Sequence, residues 1–515
     1  MGVVQPSRAT CPDGPVVGLG GRPRVSFVLV NPPADERQPA SADVDGADPG
    51  TPNPATAPAA GGIRGRVRAQ LAQREFARHF LTLITGTGAA QVLQIVGMLL
   101  VGRLFSPSQF GVYTAVLSVS QAILPLAALR YDMAIVLPKR ANDARQLVRL
   151  ATWINTGVAV ASTLVMLVAA HPLGTWLGVP AGDQWLLWLV GPMTWLLAQV
   201  ALLTYWLTRT KNYRTVSENK ITYAVALSGT QIAAGLLKAG VPGLLLATVL
   251  GQGLALVNVL RRTRGQFRLD PDEPTASFRD LAREYRKMPL LNGPNALVDS
   301  ARLQGIPLLI ANQFSSAALG QFSLAWRLLQ APIALINGAI SQIYFQKISV
   351  TQRGRMYALM KVSVVRSFLI GLVPFGLIWL LAPWLLPFVL GDKWTPAGRI
   401  ARSLVPWLFL NFITSPISTV FVVARRQGLM LVYAIFFAAV PLTLLWRTDG
   451  NLEQTITWVA WSMTALLIVF TGLALYVARG YDRSPVDPDD DAEAEGDLAA
   501  EEAEDVAADE RGDRS

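Results

Sequence analysis

The sequence predicts an all-α integral membrane protein with twelve transmembrane helices in two six-helix lobes around a central cavity. Three observations lead there. Hydrophobic residues make up 52% of 515 positions, far more apolar surface than one soluble core requires. Twelve of the apolar stretches approach the roughly 20 residues that cross a hydrocarbon core as helix, and polar stripes are mostly absent from them. Lys and Arg fall almost entirely in alternate gaps between these stretches.

Residues 1–74 come first, rich in Pro, Ala, Gly and Asp and ending in a basic run. Such a segment buries too little apolar surface to offset its ordering entropy, so it is expected to be a disordered cytoplasmic leader. The RVSFVLV run at 24–30 is too short to span a membrane. The N-terminal lobe, 75–260, is expected to hold spans near Phe80–Gly102, Tyr113–Val136, Val148–Ala170, Trp185–Leu207, Ile221–Ala239 and Gly243–Leu260. Residues 261–288 read as a cytoplasmic inter-lobe linker. The C-terminal lobe, 289–478, is expected to hold Pro289–Asn312, Leu319–Phe345, Val362–Ala382, Ser403–Ala424, Leu429–Trp446 and Ile456–Ala478. Residues 479–515 form an acidic tail, expected to be disordered, solvated and cytoplasmic.

Charge predicts the orientation. With the N-terminal flank cytoplasmic, that side carries 28 Lys and Arg residues, including eight from Arg261 to Lys287; the opposite loops carry five, Arg103, Lys238, Lys393, Arg399 and Arg447. Positive residues are retained on the cytoplasmic side during insertion, so both termini are expected in the cytoplasm of a multi-pass plasma-membrane protein. The formal charge of +10 averages two unlike regions: outside 481–515 there are 42 basic and 20 acidic residues. A body of that sign suits anionic lipid head groups. Nucleic acid is a poor partner, because the charge is spread over helix ends with no recognition module beside it.

A short repeat divides the chain. FSPSQFGVY at 105–113 aligns with FSSAALGQF at 314–322 at an offset of 209, pairing Phe105 with Phe314, Ser106 with Ser315, Gly111 with Gly320 and, further on, Gln121 with Gln330. Both copies follow the first span of a six-span half. An even number of spans per unit brings both copies in from the same side and implies pseudo-twofold symmetry about the membrane normal.

Ionisable groups inside spans are the local clues to a site, since a charge in hydrocarbon is unfavourable by roughly 3 kcal/mol even on the mild insertion scale. Arg130 and Asp132 are read at the inner end of span two, Asp299 and Arg302 inside span seven, Arg327 in span eight and Arg366 near the start of span nine. Arginine holds phosphate through a directional fork, so Arg130, Arg302 and Arg327 are candidates for an anionic head group. Asp132, Asp299 and Arg366 are candidates for coupling or gating. The competing reading of Asp299 and Arg302, three apart, is an internal pair on one helix face. Arg130 and Asp132, two apart, do not face each other on a regular helix, and snorkelling of Arg130 to the interface competes with ligand contact. Glu218 and Asn219 read as a solvated helix end or a sugar contact.

Cofactor chemistry has no footing in the sequence. Cys11 is the one cysteine and His79 and His171 the two histidines, and no HExxH or phosphate-binding glycine loop is present. Energy for uphill movement would have to come from a separate source or from an electrochemical gradient, of protons or sodium.

The residues that follow the spans resemble the bacterial polysaccharide flippases of the multidrug, oligosaccharidyl-lipid and polysaccharide exporter superfamily. The resemblance rests on GRLFSPSQFGVYTAVLSVSQAI at 102–123, LRYDMAIVLPK at 129–139, KNYRTVSENK at 211–220, YRKMPLLNGPNALVDS at 285–300 and LGQFSLAWRLLQAPIALINGAISQIYFQ at 319–346. It covers about 75–478 and neither tail. It implies twelve spans in two lobes that flip an undecaprenyl-pyrophosphate-linked oligosaccharide from the inner to the outer leaflet by alternating access, without covalent catalysis. Polysaccharide polymerases and glycosyltransferases would be the neighbouring partners. Two other functions stay open: a gradient-coupled multidrug or small-cation exporter, and a non-transporting membrane scaffold.

Overall fold

A computed structural model of the chain describes residues 87–330, 333, 354–424, 426–448 and 450–483. The leader, the start of the first expected span at Phe80, most of the eighth span's second half and the tail beyond Arg483 lie outside the described residues, as do Lys347, Arg353 and Arg425. All described secondary structure is helical. The long helices are α1 (Thr87–Leu104), α2 (Pro107–Ala127), α3 (Ala141–Trp176), α4 (Val190–Arg209, led in by a 3-10 segment Ala181–Leu189), α5 (Tyr213–Leu236) and α6 (Gly240–Arg262). They continue with α7 (Gly293–Gln313), α8 (316–330), α9 (Met356–Leu390), α10 (Thr395–Thr414), α11 (Gln427–Arg447) and α12 (Leu452–Arg483).

Among the described residues, eight helical segments are long and apolar enough to cross a membrane: α1, α2, α3, α4 with its lead-in, α6, α9, α11 and α12. The fold is therefore all-α and multi-pass. The remaining expected spans fall short for visible reasons. Helix α5 buries Ser217, Asn219, Ser228 and Gln231, α7 carries Asp299, Ser300, Arg302 and Gln304 at its centre, α10 begins with Arg399 and Arg402, and only fifteen residues of α8 are described.

Helix α2 also ends nine residues before the expected Val136. Leu129 and Arg130 take left-handed φ values of 45° and 62°, which side-chain-bearing residues adopt only at a helix break. Arg130 and Asp132 thus lie in the connection between α2 and α3, Asp132 on a single helical turn, Tyr131–Ala134, and not inside a span.

The repeat is a physical contact. Ser106 caps α2 by accepting from the Gln109 amide at 3.3 Å, and Ser315, 209 residues later, accepts from the Ala318 amide at 3.1 Å. The two capped helices cross at the paired glycines: a Cβ on Gly111 would sit 1.6 Å from the Ser316 carbonyl oxygen, and one on Gly320 would sit 1.8 Å from that of Pro107. Ser316 is Pro107 displaced by 209, so the contact is reciprocal. Between apolar helices in lipid, such close backbone approach replaces the hydrophobic drive that water would supply.

Around this crossing the two halves of the chain are tied together. Lys393 Nζ donates to the carbonyls of Arg103 and Phe105, both at 2.9 Å, and Trp394 Nε1 to that of Gly102 at 2.7 Å. Arg103 Nε donates to Val389 O, and its counterpart at the offset, Asn312, donates to Trp176 O at 2.8 Å. Burial pulls the Lys393 ammonium pKa down. One apolar core spans both halves here, from Phe105, Phe110 and Leu187 to Leu319, Trp394 and Phe412.

At the opposite end the core divides. Tyr131, Ile135, Leu147, Trp206 and Leu281 form one cluster; Met356, Met360, Phe421 and Phe470 form another. The segment expected to be a linker belongs to the first. Asn142, fully buried, donates from Nδ2 to the carbonyls of Asp270 and Glu273, each at 2.8 Å, and accepts at Oδ1 from the Asp270 amide. Glu273 caps α3, accepting from the amides of Ala141 and Asn142 at 2.9 and 3.0 Å, where the helix dipole favours an anion. Trp206 Nε1 donates to Gln266 Oε1 at 2.8 Å and its ring packs on Phe267. In the second half Asp482 plays a similar part, accepting from the amides of Gly354, Met356 and Tyr357 at 2.9–3.1 Å at the start of α9.

Candidate functional site

Where the core divides, a cavity of about 460 Å³ opens between α2, α4 and α7. Gln121 of α2 and Ser300 and Gln304 of α7 join the halves at its inner limit: Ser300 Oγ donates to Gln121 O at 3.3 Å, and Gln304 Nε2 to Gln121 Oε1 at 3.3 Å. Asn292, Asn295 and Asp299 follow along α7 and its entry turn, and Tyr205 stands across from them on α4. The sequence reading named Asp299 but missed its neutral polar neighbours as site residues. Asn292, Asn295 and Asp299 sit at i, i+3 and i+7, the spacing of one helix face, and that was the available signal.

Arg130 and Asp132 line the same cavity from the connection between α2 and α3. They do not pair with each other; among the described residues the ion pairs lie elsewhere. Arg130 Nε and Asp132 Oδ1 are both buried without a hydrogen-bond partner. Burial pushes the Asp132 carboxyl pKa up, and Arg130 only partly offsets this. The cavity thus presents two buried polar atoms, one of a cation and one of an anion, with unused hydrogen-bonding capacity.

Asp299 and Arg302 pair at 2.8 Å, with Arg302 16% exposed and Asp299 63% exposed. The Arg302 guanidinium also lies 5.0 Å from the Phe437 ring centroid, so it faces α11 while Asp299 faces the cavity. The sequence reading of an internal pair describes this geometry.

Arg327 is elsewhere. It lines a second cavity of about 310 Å³ between α1, α2, α5 and α8. Its guanidinium is 5.5 and 5.4 Å from the ring centroids of Phe110 and Tyr113. Arg366 is exposed on α9 and lines neither cavity. The six candidate residues therefore separate: Arg130, Asp132 and Asp299 meet at the larger cavity, Arg302 stands behind Asp299, and Arg327 and Arg366 lie apart. Glu218 bridges Arg214 and Arg262 at 2.9 and 2.7 Å, a surface pairing outside both cavities. Among the described residues no three His, Cys, Asp or Glu side chains gather as a metal site.

Comparison with known proteins identifies a family and a fold. Residues 100–399 match the family described as polysaccharide biosynthesis protein. The chain is 23% identical over 377 residues to the succinoglycan biosynthesis transport protein ExoT of Rhizobium meliloti (strain 1021), covering 71% of this chain and 73% of that one. Among solved structures it is similar to the lipid II flippase MurJ in an inward closed conformation, with TM-score 0.60, 11% identity, and 77% and 90% of the two chains covered. It is also similar to a MOP superfamily transporter from Pyrococcus furiosus, with TM-score 0.52, 13% identity, and 78% and 96% covered. At such identities the solved structures speak to the fold alone. The family model covers more than half of the sequence, and the chain belongs to the polysaccharide biosynthesis protein family.

Proposed function

We propose that the protein is a two-lobed, twelve-span transporter that flips an undecaprenyl-pyrophosphate-linked oligosaccharide from the inner to the outer leaflet of the plasma membrane by alternating access. The observation that carries this reading is the larger cavity. It opens where the core divides, it is rimmed by amides and hydroxyls with the carboxylates of Asp132 and Asp299, and it offers the half-buried Arg130, whose buried Nε is an unused donor. A lipid-linked glycan needs a polar path for its head group while its isoprenoid tail stays in hydrocarbon, and a cleft between lobes open to lipid supplies both.

The lobes in this reading are 75–260 and 289–478, with 261–288 docked on the first. The reciprocal glycine crossing supports their relation by a pseudo-twofold axis. The excess of Lys and Arg at the divided end supports a cytoplasmic placement for it and for both termini, so the described conformation is sealed on the outside. Arg130 attracts the pyrophosphate, Asp132 and Asp299 set the local charge, and Gln121 with Gln304 closes the inner limit of the cavity. Rocking of the halves about the crossing then exchanges access. No covalent bond changes. Asp132 and Asp299, the two carboxylates on the cavity, are the candidates for gradient coupling.

Reconstitution tests the assignment. Arg130→Gln in liposomes should slow head-group exposure of a labelled lipid-linked oligosaccharide while insertion and folding stay intact. Efflux of small organic cations by wild type, with no acceleration of lipid-linked glycans, would favour the exporter reading instead.

A further inference from the structure

The two cavities occupy equivalent helix positions. Gln121, Ser300, Leu303 and Gln304 line the larger one; subtracting or adding the offset of 209 gives Gln330, Gln91, Gln94 and Ile95, and all four line the smaller one. The α2–α7 wall of the first is thus repeated as the α8–α1 wall of the second. The chemistry has diverged. The larger cavity holds Arg130 with two carboxylates. Among the described residues the lining of the smaller one has no carboxylate; it has the amides of Gln91, Gln94, Gln231 and Gln330, the indole of Trp326, and Arg327 as its one charge. Among the described residues Arg327 has aromatic faces beside it and no ion-pair partner.

We propose that the smaller cavity is a saccharide subsite selective for an anionic sugar, one whose ring bears a carboxylate or a comparable single negative group. Each part has a separate physical reason. Amides exchange hydrogen bonds with ring hydroxyls as both donors and acceptors. The Trp326 indole, packed on Phe322 and Trp407, adds an apolar wall against which the C–H side of a sugar ring can rest. Arg327 forms a two-pronged, charge-assisted contact with a carboxylate, and the rings of Phe110 and Tyr113 hold its guanidinium in place without neutralising it. A volume of about 310 Å³ suits one or two sugar rings, not a long glycan. The source of the ligand in a glycan rests on the flippase reading; the site itself rests on the lining.

Calorimetric titration of the full-length protein in phosphatidylcholine nanodiscs tests it, with methyl β-glucuronide and methyl β-glucoside as probes. The glucuronide should bind about tenfold or more tightly than the glucoside, the range of one charge-assisted hydrogen-bonded contact. Arg327→Gln should abolish the preference, Arg327→Lys should keep part of it, and Gln231→Leu should weaken both glycosides alike. Arg447→Gln removes an equal charge from an exposed helix end and should leave the preference as it is. Equal binding of the two glycosides by wild type, or a preference that survives in Arg327→Gln, overturns the proposal. So does loss of glucuronide binding when phosphatidylglycerol is added, which would assign the cation to a lipid head group. Because binding is read without transport, a protein that flips no lipid-linked glycan can still pass, and one that flips neutral glycans can fail.

Discussion

Replacing Gly111 by Ala places a methyl group 1.6 Å from the Ser316 carbonyl oxygen, 2.5 Å from its carbon and 3.0 Å from the Gly320 nitrogen. Those are backbone atoms of another helix, with no rotamer to move aside. A Cβ requires at least 3.0 Å, so α2 and α8 must part locally by roughly 1.4 Å, the difference between those two distances. Overpacking of this kind destabilises by about 1–3 kcal/mol. The strain falls on the tied end of the molecule, where Lys393 and Trp394 reach across from the second half to the first. Gly111→Ala should therefore weaken the seal and favour conformations open at that end. Spin labels at Ser108 and Ala317, themselves 209 apart, should show a longer and broader distance distribution than in the parent. Gly320→Ala should do the same, and because each methyl relieves the other's need for close approach, the double variant should cost less than the sum, with a coupling of about 0.5–3 kcal/mol. An unchanged distance and unchanged thermal stability in both single variants would refute the crossing as described.

Further outcomes follow from the divided end. Asn142→Ala should release the 263–285 segment from α3 by stranding buried partners worth about 2–3 kcal/mol, read as faster hydrogen exchange from Gly265 to Glu284; unchanged protection would count against a docked segment. Asp482→Ala removes the acceptor of three backbone amides at the start of α9 and should destabilise by about 2 kcal/mol, seen as a lower midpoint of thermal unfolding, with Asp482→Asn intermediate. For Asp132 the folded pKa is raised above the usual 3.8, so the folded state binds the proton more tightly. Its stabilisation is present at low pH and is lost as pH rises from 3.8 through the raised value. Asp132→Asn should accordingly be more stable than wild type at neutral pH and should lose that advantage as pH falls through this window; a constant difference across it would contradict the buried, unpaired carboxyl.

Much of this was legible because it is local or repetitive. The Asp299–Arg302 pair follows from spacing along one helix, and the crossing was marked by two short motifs with the same glycine. The break after α2 was not legible, because left-handed Leu129 and Arg130 carry no Gly or Pro to announce it. The docking of 261–288 was missed for another reason: a charged, proline-containing segment reads as solvated, and its partners are distant in sequence, Asn142 by 131 residues from Glu273 and Trp206 by 60 from Gln266. Likewise, sequence order places Arg130 and Arg327 in different expected spans but does not assign them to different cavities. Their assignment to different cavities depends on which helix faces meet, a property of packing across the halves.

The most direct test is the rate at which the labelled head group of a lipid-linked oligosaccharide becomes exposed on the far side of a liposome holding the purified full-length chain in one orientation. Acceleration well above protein-free liposomes, reduced in Arg130→Gln and absent for the tail lipid without its pyrophosphate glycan, is the predicted result. A rate equal to that of protein-free liposomes for every lipid-linked glycan tried would contradict the account.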